Sequence, residues 1–387
     1  MSRPIRIGIT HGDFNGIGYE VILKALADEM MTELCTPVIF GSSELAHKVR
    51  KELGLDEVRF TPVKRASEVR DGVVNVVDVC GGNLQMTPGH PSPEAGKAAV
   101  DALNAAADAL EAGDIDVVVT APINKKTVYS ESFPFPGHTE FFARRFGTDE
   151  GALMILYSED IKVGLVTTHL PLKDIPARIT RENVAATIRR MNSSLVRDFA
   201  LDRPRIAVLS LNPHNGDNGL LGTEEQTDIM PAIADCRAEG VLAFGPYAAD
   251  GFFGNGTYRS FDGIVAMYHD QGLAPFKALA REYGVNYTAG LKYVRTSPDH
   301  GSGYDIAGKG EADPTSMRQA IYQAMDLWRN RSRHQKATRN PLRPSPQEKN
   351  SRPDKKSEEK SQQNQPVPSA GEKQNTDNQK PEEGTQN

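Results

Sequence analysis

The sequence predicts an α/β protein with a mainly parallel, doubly wound sheet. Short apolar runs of strand length alternate along the chain with longer segments of helical character, a pattern typical of parallel sheets that carry helices on both faces. With 387 residues, the chain is long enough for two domains of ordinary size. Its hydrophobic share of 38% is sufficient for the sizeable core that a fold of this class requires.

The predicted elements follow one another in this alternating order. The strands are short runs rich in valine, isoleucine and alanine, at 5–10, 36–40, 73–79, 116–120, 152–157, 163–168, 206–211, 263–267 and 284–291. The helices are predicted at 19–30, 43–53, 93–112, from 138 onward, at 182–199, at 223–239 and from 313 to about 328. Because a helix separates most successive strands, we expect parallel crossover connections.

The helix at 93–112 has the clearest boundaries. Ser92 is a favourable N-cap residue, and Pro93 is tolerated at the first helical position because its missing N–H would have no partner there. Gly113 follows the last apolar position and suits a left-handed C-terminal cap. These signals predict one uninterrupted helix between the two caps.

Composition and charge argue against several classes of function. The formal net charge of −6 argues against a nucleic-acid-binding surface. No run approaches 18 apolar residues and the chain enters a strand at once, so we expect neither a membrane span nor a signal peptide. The cysteines, Cys35, Cys80 and Cys236, are far apart in sequence and are expected to be reduced thiols. Together these features predict a cytoplasmic protein without nucleic-acid or membrane partners.

Three predicted strands are each followed by a histidine at or just past the carboxyl end. The residues are His169, His214 and His269, and ligands collect at the carboxyl ends of strands in open α/β sheets. Three histidines so placed form the donor set of an open metal site, most often of zinc. Lys277 follows in a predicted short helix, after Gly272 interrupts the extended chain. On this pattern alone, ordinary loop histidines that form hydrogen bonds remain the alternative interpretation.

Two further polar segments are less decisive. The glycine-rich turn at 11–18 lies between a strand and a helix but lacks the spacing of a dinucleotide-binding loop, so a simple tight turn is the preferred interpretation. Lys125 and Lys126 follow the strand at 116–120, where a lysine can contact an anion. A solvated pair is the preferred interpretation for these two residues.

Several long segments resemble those of the PdxA family of 4-hydroxythreonine-4-phosphate dehydrogenases. They are PGHTEFF at 136–142, TTHLPL at 167–172, LNPHNGD at 211–217, YHDQG at 268–272 and GVNYTAGLKYVRTSPDHGSGYDIAGKG at 284–310. The resemblance extends in order from about residue 6 to about residue 328. It departs at 10–18, where the family commonly has TPGEPAGIG and this chain has THGDFNGIG.

The resemblance implies a fold, a reaction and an assembly. The fold consists of two doubly wound α/β/α domains with an active-site cleft between them, as in the isocitrate and isopropylmalate dehydrogenases. The first domain comprises 1–135 and about 300–330, and the second comprises 136–299. The implied reaction is the NAD-dependent oxidation of 4-phosphohydroxy-L-threonine, followed by loss of CO2, in pyridoxal phosphate (vitamin B6) biosynthesis. The implied assembly is a homodimer with a shared active site.

The resemblance also implies roles for individual residues. A divalent metal, with zinc preferred over magnesium or cobalt, is bound by His169, His214 and His269. The substrate contacts are His138, Thr139, Lys277, Asn286 and Arg295. The segment 299–314 resembles the adenosine-side cofactor loop of the isocitrate and isopropylmalate dehydrogenases, in which His300, Gly301 and Asp305 contact NAD or NADP. The candidates for proton transfer are His138 and Asp270.

Lys277 and Arg295 are the expected phosphate-binding residues. Neither has an acidic partner nearby in sequence, and a phosphorylated substrate needs positive charge. Three alternatives stay open. The three histidines also suit a zinc hydrolase, relatives of the family oxidise threonate or erythronate 4-phosphate, and a non-catalytic binding protein could retain the site as a relic.

Residues 331–387 differ in composition from the rest of the chain. They are rich in Lys, Glu, Gln, Asn, Pro and Ser and contain almost no large apolar side chains. Such a segment cannot bury enough apolar surface to offset the entropy lost on ordering, so we expect a disordered polar tail. Truncation after Asn330 is therefore expected to leave activity and stability nearly unchanged.

Overall fold

The apolar runs form the strands of a twelve-stranded sheet. The computed structural model describes residues 3–81, 84–149 and 151–341. Within them the strands are β1 (Arg6–Thr10), β2 (Thr36–Gly41), β3 (Phe60–Val63), β4 (Val74–Asp78), β5 (Val117–Thr120), β6 (Leu153–Tyr157), β7 (Lys162–Leu165), β8 (Arg205–Leu209), β9 (Leu242–Tyr247), β10 (Gly263–Ala266), β11 (Val285–Ala289) and β12 (Val294–Pro298).

Helices connect most of the strands and complete an α/β fold, as predicted. In the described part of the chain the α-helices are α1 (Gly18–Ala25), α2 (Met30–Leu34), α3 (Ser43–Glu52), α4 (Pro93–Ala112), α5 (Lys125–Val128), α6 (His138–Phe146), α7 (Arg181–Arg197), α8 (Met230–Ala238), α9 (Ala249–Gly254), α10 (His269–Ala280) and α11 (Thr315–Thr338). Both predicted caps of α4 are confirmed, since the Ser92 hydroxyl accepts from the Ala95 N–H and Gly113 has a φ of 77°. None of these helices is both long and apolar enough to cross a membrane.

The strand order is β3-β4-β2-β1-β5-β12-β11-β6-β7-β10-β8-β9. The six strands from β3 to β12 are parallel to one another, and so are the four from β7 to β9. The centre of the sheet differs from the prediction, because β11 is antiparallel to both of its neighbours and β6 is antiparallel to β7. The short connections at 290–293 and 158–161 explain two of these pairings, β11 with β12 and β6 with β7, because a parallel crossover needs a dozen or more residues.

The antiparallel pairings reverse the chain direction three times between β12 and β7. The strands of the two parallel groups therefore run in opposite directions. The carboxyl ends of one group lie on the same side of the sheet as the amino ends of the other. Met1–Arg339 forms one compact unit that contains the whole sheet. The predicted domain boundaries near 135 and 300 stay a prediction.

Helix α10 begins at His269, before Gly272, whereas the sequence predicted that it would begin after Gly272. Gly272 lies inside the helix and allows it to approach the sheet closely. A Cβ atom at this position would lie 2.8 Å from side-chain carbons of both Leu165 and Val163 on β7. This close packing holds His269, the first residue of the helix, beside the end of β10.

Helix α11 continues to Thr338, well beyond the end predicted near Trp328. The expectation that the polar tail begins at residue 331 is therefore wrong for 331–338, and residues 342–387 of that tail lie outside the described residues. The helix is held beyond residue 330 by the buried side chain of Arg331, which is only 7% exposed. The composition of a segment does not reveal that one of its charges is buried.

A buried ion cluster holds this end of α11 in place. The Arg331 guanidinium donates to Oδ1 of Asp198 and to the Tyr287 hydroxyl, each at 2.7 Å. The Asp198 carboxylate also accepts hydrogen bonds from Arg197 and Ser194. Burial alone would raise the pKa of Asp198, but the two arginines lower it to about 2. A buried charge that is paired and hydrogen-bonded in this way is tolerated in a protein core.

We expect truncation after Asn330 to destabilise the protein. Loss of Arg331 leaves the buried Asp198 carboxylate with one cation fewer, and breaking a buried ion pair typically costs about 3–5 kcal/mol. Truncation after Arg339 retains the whole of α11 and should change the free energy of unfolding little. Chemical denaturation of the two truncated proteins measures both effects.

Arg331→Met in the full chain separates the loss of the ion pair from the loss of the helix end. Arg333→Met is the matched control, because Arg333 lies on the same helix and is exposed. Equal losses of stability in the two variants, or no loss in either, contradict the role assigned to the buried cluster.

Candidate active site

A cavity of about 410 Å³ lies on one face of the central strands. Side chains alternate between the two faces of a strand, so Arg295 and Ser297 on β12 point to the same side. Ser297 is paired with Asn286 on β11, and Asn286 is paired with Leu156 on β6. This row of three cross-strand neighbours lines the cavity together with Arg295. The antiparallel centre of the sheet therefore supplies one wall of the candidate site.

Loops and helices beside these strands complete the cavity. Lys125 belongs to α5, which follows β5, and Glu140 belongs to the first turn of α6. The residues predicted to contact the substrate all line the cavity: His138, Thr139, Lys277, Asn286 and Arg295. The fold thus brings together side chains that are far apart in sequence. Their contacts with a substrate stay a prediction.

Arg295 places a buried cation at the cavity. The residue is 3% exposed. Its guanidinium donates to the Thr120 hydroxyl from Nε at 3.1 Å and from Nη2 at 2.6 Å, and to the Thr288 hydroxyl from Nη1 at 3.1 Å. Burial lowers the pKa of Arg295 to about 9, so the group still carries its charge at neutral pH. Because the threonine partners are neutral, an anion that enters the cavity would find this charge uncompensated by them.

Lys277 has an acidic partner that the sequence did not indicate. Its ammonium lies 3.6 Å from Oδ1 of Asp299 and 3.3 Å from the backbone oxygen of the same residue. The expectation of an unpaired Lys277 is therefore wrong. Its partner Asp299 directly follows β12 and also lines the cavity. Burial raises the pKa of Asp299, and the neighbouring Lys277 opposes this effect.

Three buried polar atoms at the cavity have no hydrogen-bond partner among the described residues. They are Nε2 of His138, Oδ1 of Asn286 and Nε2 of His300. Burial lowers the pKa of His138 well below its usual range, and Arg295 and Lys125 lower it further. His138 is therefore neutral at physiological pH. A buried polar atom left unpaired costs roughly 1–3 kcal/mol, so these atoms indicate where a polar ligand would bind.

The structure brings together two of the three predicted metal-binding histidines. The ring centroids of His169 and His269 are 5.7 Å apart, and both side chains line the cavity. His214 does not line it and is exposed, in a segment of five consecutive residues with left-handed backbone angles. Among the described residues of one chain, no group of three or more His, Cys, Asp or Glu side chains is arranged to hold a metal ion. One chain therefore does not form the predicted three-histidine site.

Asp270 does not line the cavity of one chain, and its predicted role in proton transfer stays a prediction. Its side chain is 82% exposed, and its Oδ1 lies 2.7 Å from Nδ1 of His269. A carboxylate in this position fixes the orientation of the imidazole and leaves Nε2 as the free nitrogen. Asp270 therefore contacts His269, and His138 is the proton-transfer candidate that lines the cavity.

Comparison with known proteins identifies the family of this chain. Residues 33–324 match the family described as pyridoxal phosphate biosynthetic protein PdxA. The chain belongs to the PdxA family. A relative from Bacteroides thetaiotaomicron, named 4-hydroxythreonine-4-phosphate dehydrogenase, is 54% identical over 353 residues, which cover 91% of this chain and 97% of the relative. The resemblance seen in the sequence motifs is thereby confirmed.

Two further relatives match most of the chain. The crystal structure of 4-hydroxythreonine-4-phosphate dehydrogenase from Klebsiella pneumoniae is 35% identical with a TM-score of 0.71, and the match covers 84% of this chain and 98% of that chain. A relative from Oceanobacillus iheyensis, provisionally named D-threonate 4-phosphate dehydrogenase, is 38% identical over 331 residues, or 84% of this chain and 99% of the relative.

The turn in which this chain departs from the usual PdxA pattern packs against the predicted cofactor segment. The Ile17 N–H donates to the Ser302 oxygen at 2.9 Å. The Tyr304 hydroxyl donates to Oδ2 of Asp13 at 2.7 Å, and Asp13 is buried. Of the residues that depart from the family pattern, Asp13 therefore supplies a contact that holds the segment after β12 in place.

The three residues predicted to contact the cofactor do not share one environment. His300 and Gly301 line the cavity, whereas Asp305 is exposed and does not line it. The segment therefore begins at the cavity and continues along the protein surface. Its contact with a nicotinamide cofactor stays a prediction.

Proposed function

We propose that this protein is a 4-hydroxythreonine-4-phosphate dehydrogenase. It oxidises 4-phosphohydroxy-L-threonine to 2-amino-3-oxo-4-phosphooxybutanoate, which loses CO2 to give 3-amino-2-oxopropyl phosphate. The observation that carries this proposal is the cavity in which the cations Arg295 and Lys277 lie with the neutral His138. The relative that bears this name at 54% identity supports the same function.

The charges of the cavity suit the two ends of this substrate. The phosphate and the carboxylate are anions, for which Arg295 offers a planar fork of donors and Lys277 a point charge. The substrate ammonium can donate to the unpartnered Oδ1 of Asn286, and the carboxylate of Glu140 also lines the cavity. Hydrogen bonds to charged groups contribute about 1.5–3 kcal/mol each, so several of them bind a small molecule firmly.

The oxidation at C3 removes a hydride from carbon and a proton from the hydroxyl oxygen. NAD, when bound, accepts the hydride, and NADP is the alternative. The proposed base is His138, because its imidazole is neutral and its Nε2 has no partner among the described residues. The lowered pKa of His138 keeps the ring in this accepting form throughout the neutral pH range.

The oxidation product is a β-keto acid, which breaks its C1–C2 bond. CO2 leaves, the bonding electron pair moves toward the C3 ketone oxygen, and C2 then takes up a proton. Negative charge therefore develops on an oxygen within the cavity. The buried positive charge of Arg295 stabilises it, because a fixed charge acts more strongly away from bulk water.

We assign the cofactor to the segment that follows β12. His300 and Gly301 lie where this segment meets the cavity, and Asp305 lies on its exposed part. The nicotinamide end of the cofactor therefore belongs near His300, and the adenosine end belongs farther along the segment. The contacts of Asp13 with Tyr304 fix the backbone between these two positions.

A divalent metal is part of this proposal, with zinc preferred and magnesium or cobalt as alternatives. His169 and His269, whose rings lie 5.7 Å apart, would supply two ligands, and His214 of a second subunit would supply the third. Neutral imidazoles are common zinc ligands. A metal bound there acts as a Lewis acid toward the substrate hydroxyl.

The proposed assembly is a homodimer in the cytoplasm that shares its active sites. Leu170 and Leu172 follow His169, Leu220 and Leu221 follow His214, and these leucines are 39–79% exposed. Exposed apolar side chains beside both histidine segments support an interface there. The three cysteines are free, which suits a reducing compartment.

Oxidation of D-threonate 4-phosphate is the second candidate function. The Oceanobacillus iheyensis relative carries that name, and erythronate 4-phosphate is a related possibility. These acids have a hydroxyl where 4-phosphohydroxythreonine has an ammonium group. Glu140 at the cavity favours the amino acid, because a carboxylate attracts a cation more strongly than a hydroxyl.

We expect kcat/KM for 4-phosphohydroxy-L-threonine to exceed that for free 4-hydroxythreonine by at least about a hundredfold. Loss of the phosphate removes several charge-assisted hydrogen bonds, and about 1.4 kcal/mol corresponds to a factor of ten. Steady-state kinetics with NAD measure both values, with D-threonate 4-phosphate as a third substrate.

Near-equal kcat/KM values for the phosphorylated and the free amino acid would contradict phosphate binding at this cavity. A higher kcat/KM for D-threonate 4-phosphate would replace the first candidate function by the second. Absence of NADH formation with every phosphorylated acid would reject the dehydrogenase.

We expect a mixture of His169→Ala and His214→Ala proteins to regain up to about one quarter of wild-type activity after subunit exchange. Each inactive homodimer lacks one ligand at both sites, whereas the mixed dimer contains one intact site. Random pairing makes half of the dimers mixed, and one of their two sites is active. The measurement is turnover after verified exchange.

A mixture of His169→Ala and His269→Ala is the matched control. Both residues line the cavity of one chain, so every site in the mixed dimer lacks a ligand. Recovery in this control, or its absence in the His169 and His214 mixture, contradicts the division of ligands between subunits.

A further inference from the structure

Lys125 and Lys126 are adjacent in sequence but differ in their positions relative to the cavity. Lys125 and Lys126 begin the short helix α5, and Asn124 caps it by accepting from the Lys126 N–H at 2.9 Å. Both lysines are exposed, but Lys125 lines the cavity and Lys126 does not. The exposure of both residues fits the interpretation as a solvated pair, but only Lys125 also lies at the cavity.

Lys125 extends along the segment that carries His138. Its Cε lies 3.8 Å from the position of a Cβ atom built on Gly137, the residue immediately before α6. Its ammonium has no ion pair or hydrogen-bond partner within the described ranges. Lys277, by contrast, is compensated by Asp299. Among the described residues, the cavity therefore contains a second cation, besides Arg295, without a carboxylate within ion-pair distance.

Lys125 and Arg295 both act on the imidazole of His138. Each of these positive charges lowers the pKa of His138, after the larger effect of burial. Two cations that converge on one ring repel each other unless an anion lies between them. Glu140 contributes one negative charge to this part of the cavity, which offsets only one of the two.

We propose that Lys125 is a further substrate-binding residue, whose ammonium binds the substrate phosphate together with the Arg295 guanidinium, beside His138. A phosphate dianion compensates two cations, which neither neutral threonine partner of Arg295 can do. Lys277, already paired with Asp299, then serves the singly charged carboxylate. This assignment rests on the proposed function, because it takes the phosphorylated amino acid as the substrate.

The test compares Lys125→Met with the matched control Lys126→Met in the full-length protein. We expect Lys125→Met to raise KM for 4-phosphohydroxy-L-threonine by about tenfold or more, as loss of one charge-assisted hydrogen bond predicts. KM for NAD should not change, and Lys125→Arg should recover part of the loss. Lys126→Met should behave as wild type, and the melting temperatures of all variants should agree.

Equal KM values for Lys125→Met and Lys126→Met would overturn the proposal. A rise in KM for NAD alone would also overturn it, because Lys125 would then contact the cofactor phosphates.

A second measurement distinguishes failure of this inference from failure of the proposed function. Inorganic phosphate is titrated into both variants by calorimetry, which needs no turnover. Weaker phosphate binding in Lys125→Met than in Lys126→Met supports the assignment even if no acid is oxidised. Equal binding in the two variants contradicts the assignment, whether or not the wild type is active.

Discussion

The candidate site depends on one buried charge, the guanidinium of Arg295. It lies on β12, where β5 and β11 pair with that strand from either side, and the neutral hydroxyls of Thr120 and Thr288 accept its hydrogen bonds. Desolvation makes such a charge unfavourable, as its lowered pKa reflects. A structure that retains this charge without a carboxylate partner for its donors is organised to bind an anion. Lys125 and the neutral His138 line the same cavity as this guanidinium.

The sequence predicted nine of the twelve strands in the described part of the chain and missed the edge strands β3 and β9 as well as the central strand β12. Apolar β-branched runs and the Ser92 and Gly113 caps identified most strands and helix α4, because burial on both faces gives parallel strands a continuous apolar pattern. The central strand β12 was missed, since Val294–Pro298 is short and carries Arg, Thr and Ser. Its polar residues are all buried, which local pattern alone cannot reveal. Arg331 was missed for a related reason, because its partner Asp198 is distant in sequence.

The family motifs predicted which residues belong to the site. They did not predict the direction in which each side chain points. The motifs identified His169, His214 and His269 alike, yet only two of them meet in one chain, because the turn after β8 carries His214 away from the cavity. Spacing likewise did not separate Lys125 from Lys126. The difference arises from the short helix α5, which directs one of the two toward the cavity.

The most direct test of this account is to replace Arg295 by methionine and to measure stability and kinetics together. Removing a buried charge that lacks a carboxylate partner should leave the free energy of unfolding unchanged or raise it, because the desolvation cost disappears. The same change should lower kcat/KM for 4-phosphohydroxy-L-threonine by about a hundredfold or more, through loss of anion binding. A loss of several kcal/mol of stability with nearly unchanged kcat/KM would show that Arg295 serves the fold, and would contradict its role at the site.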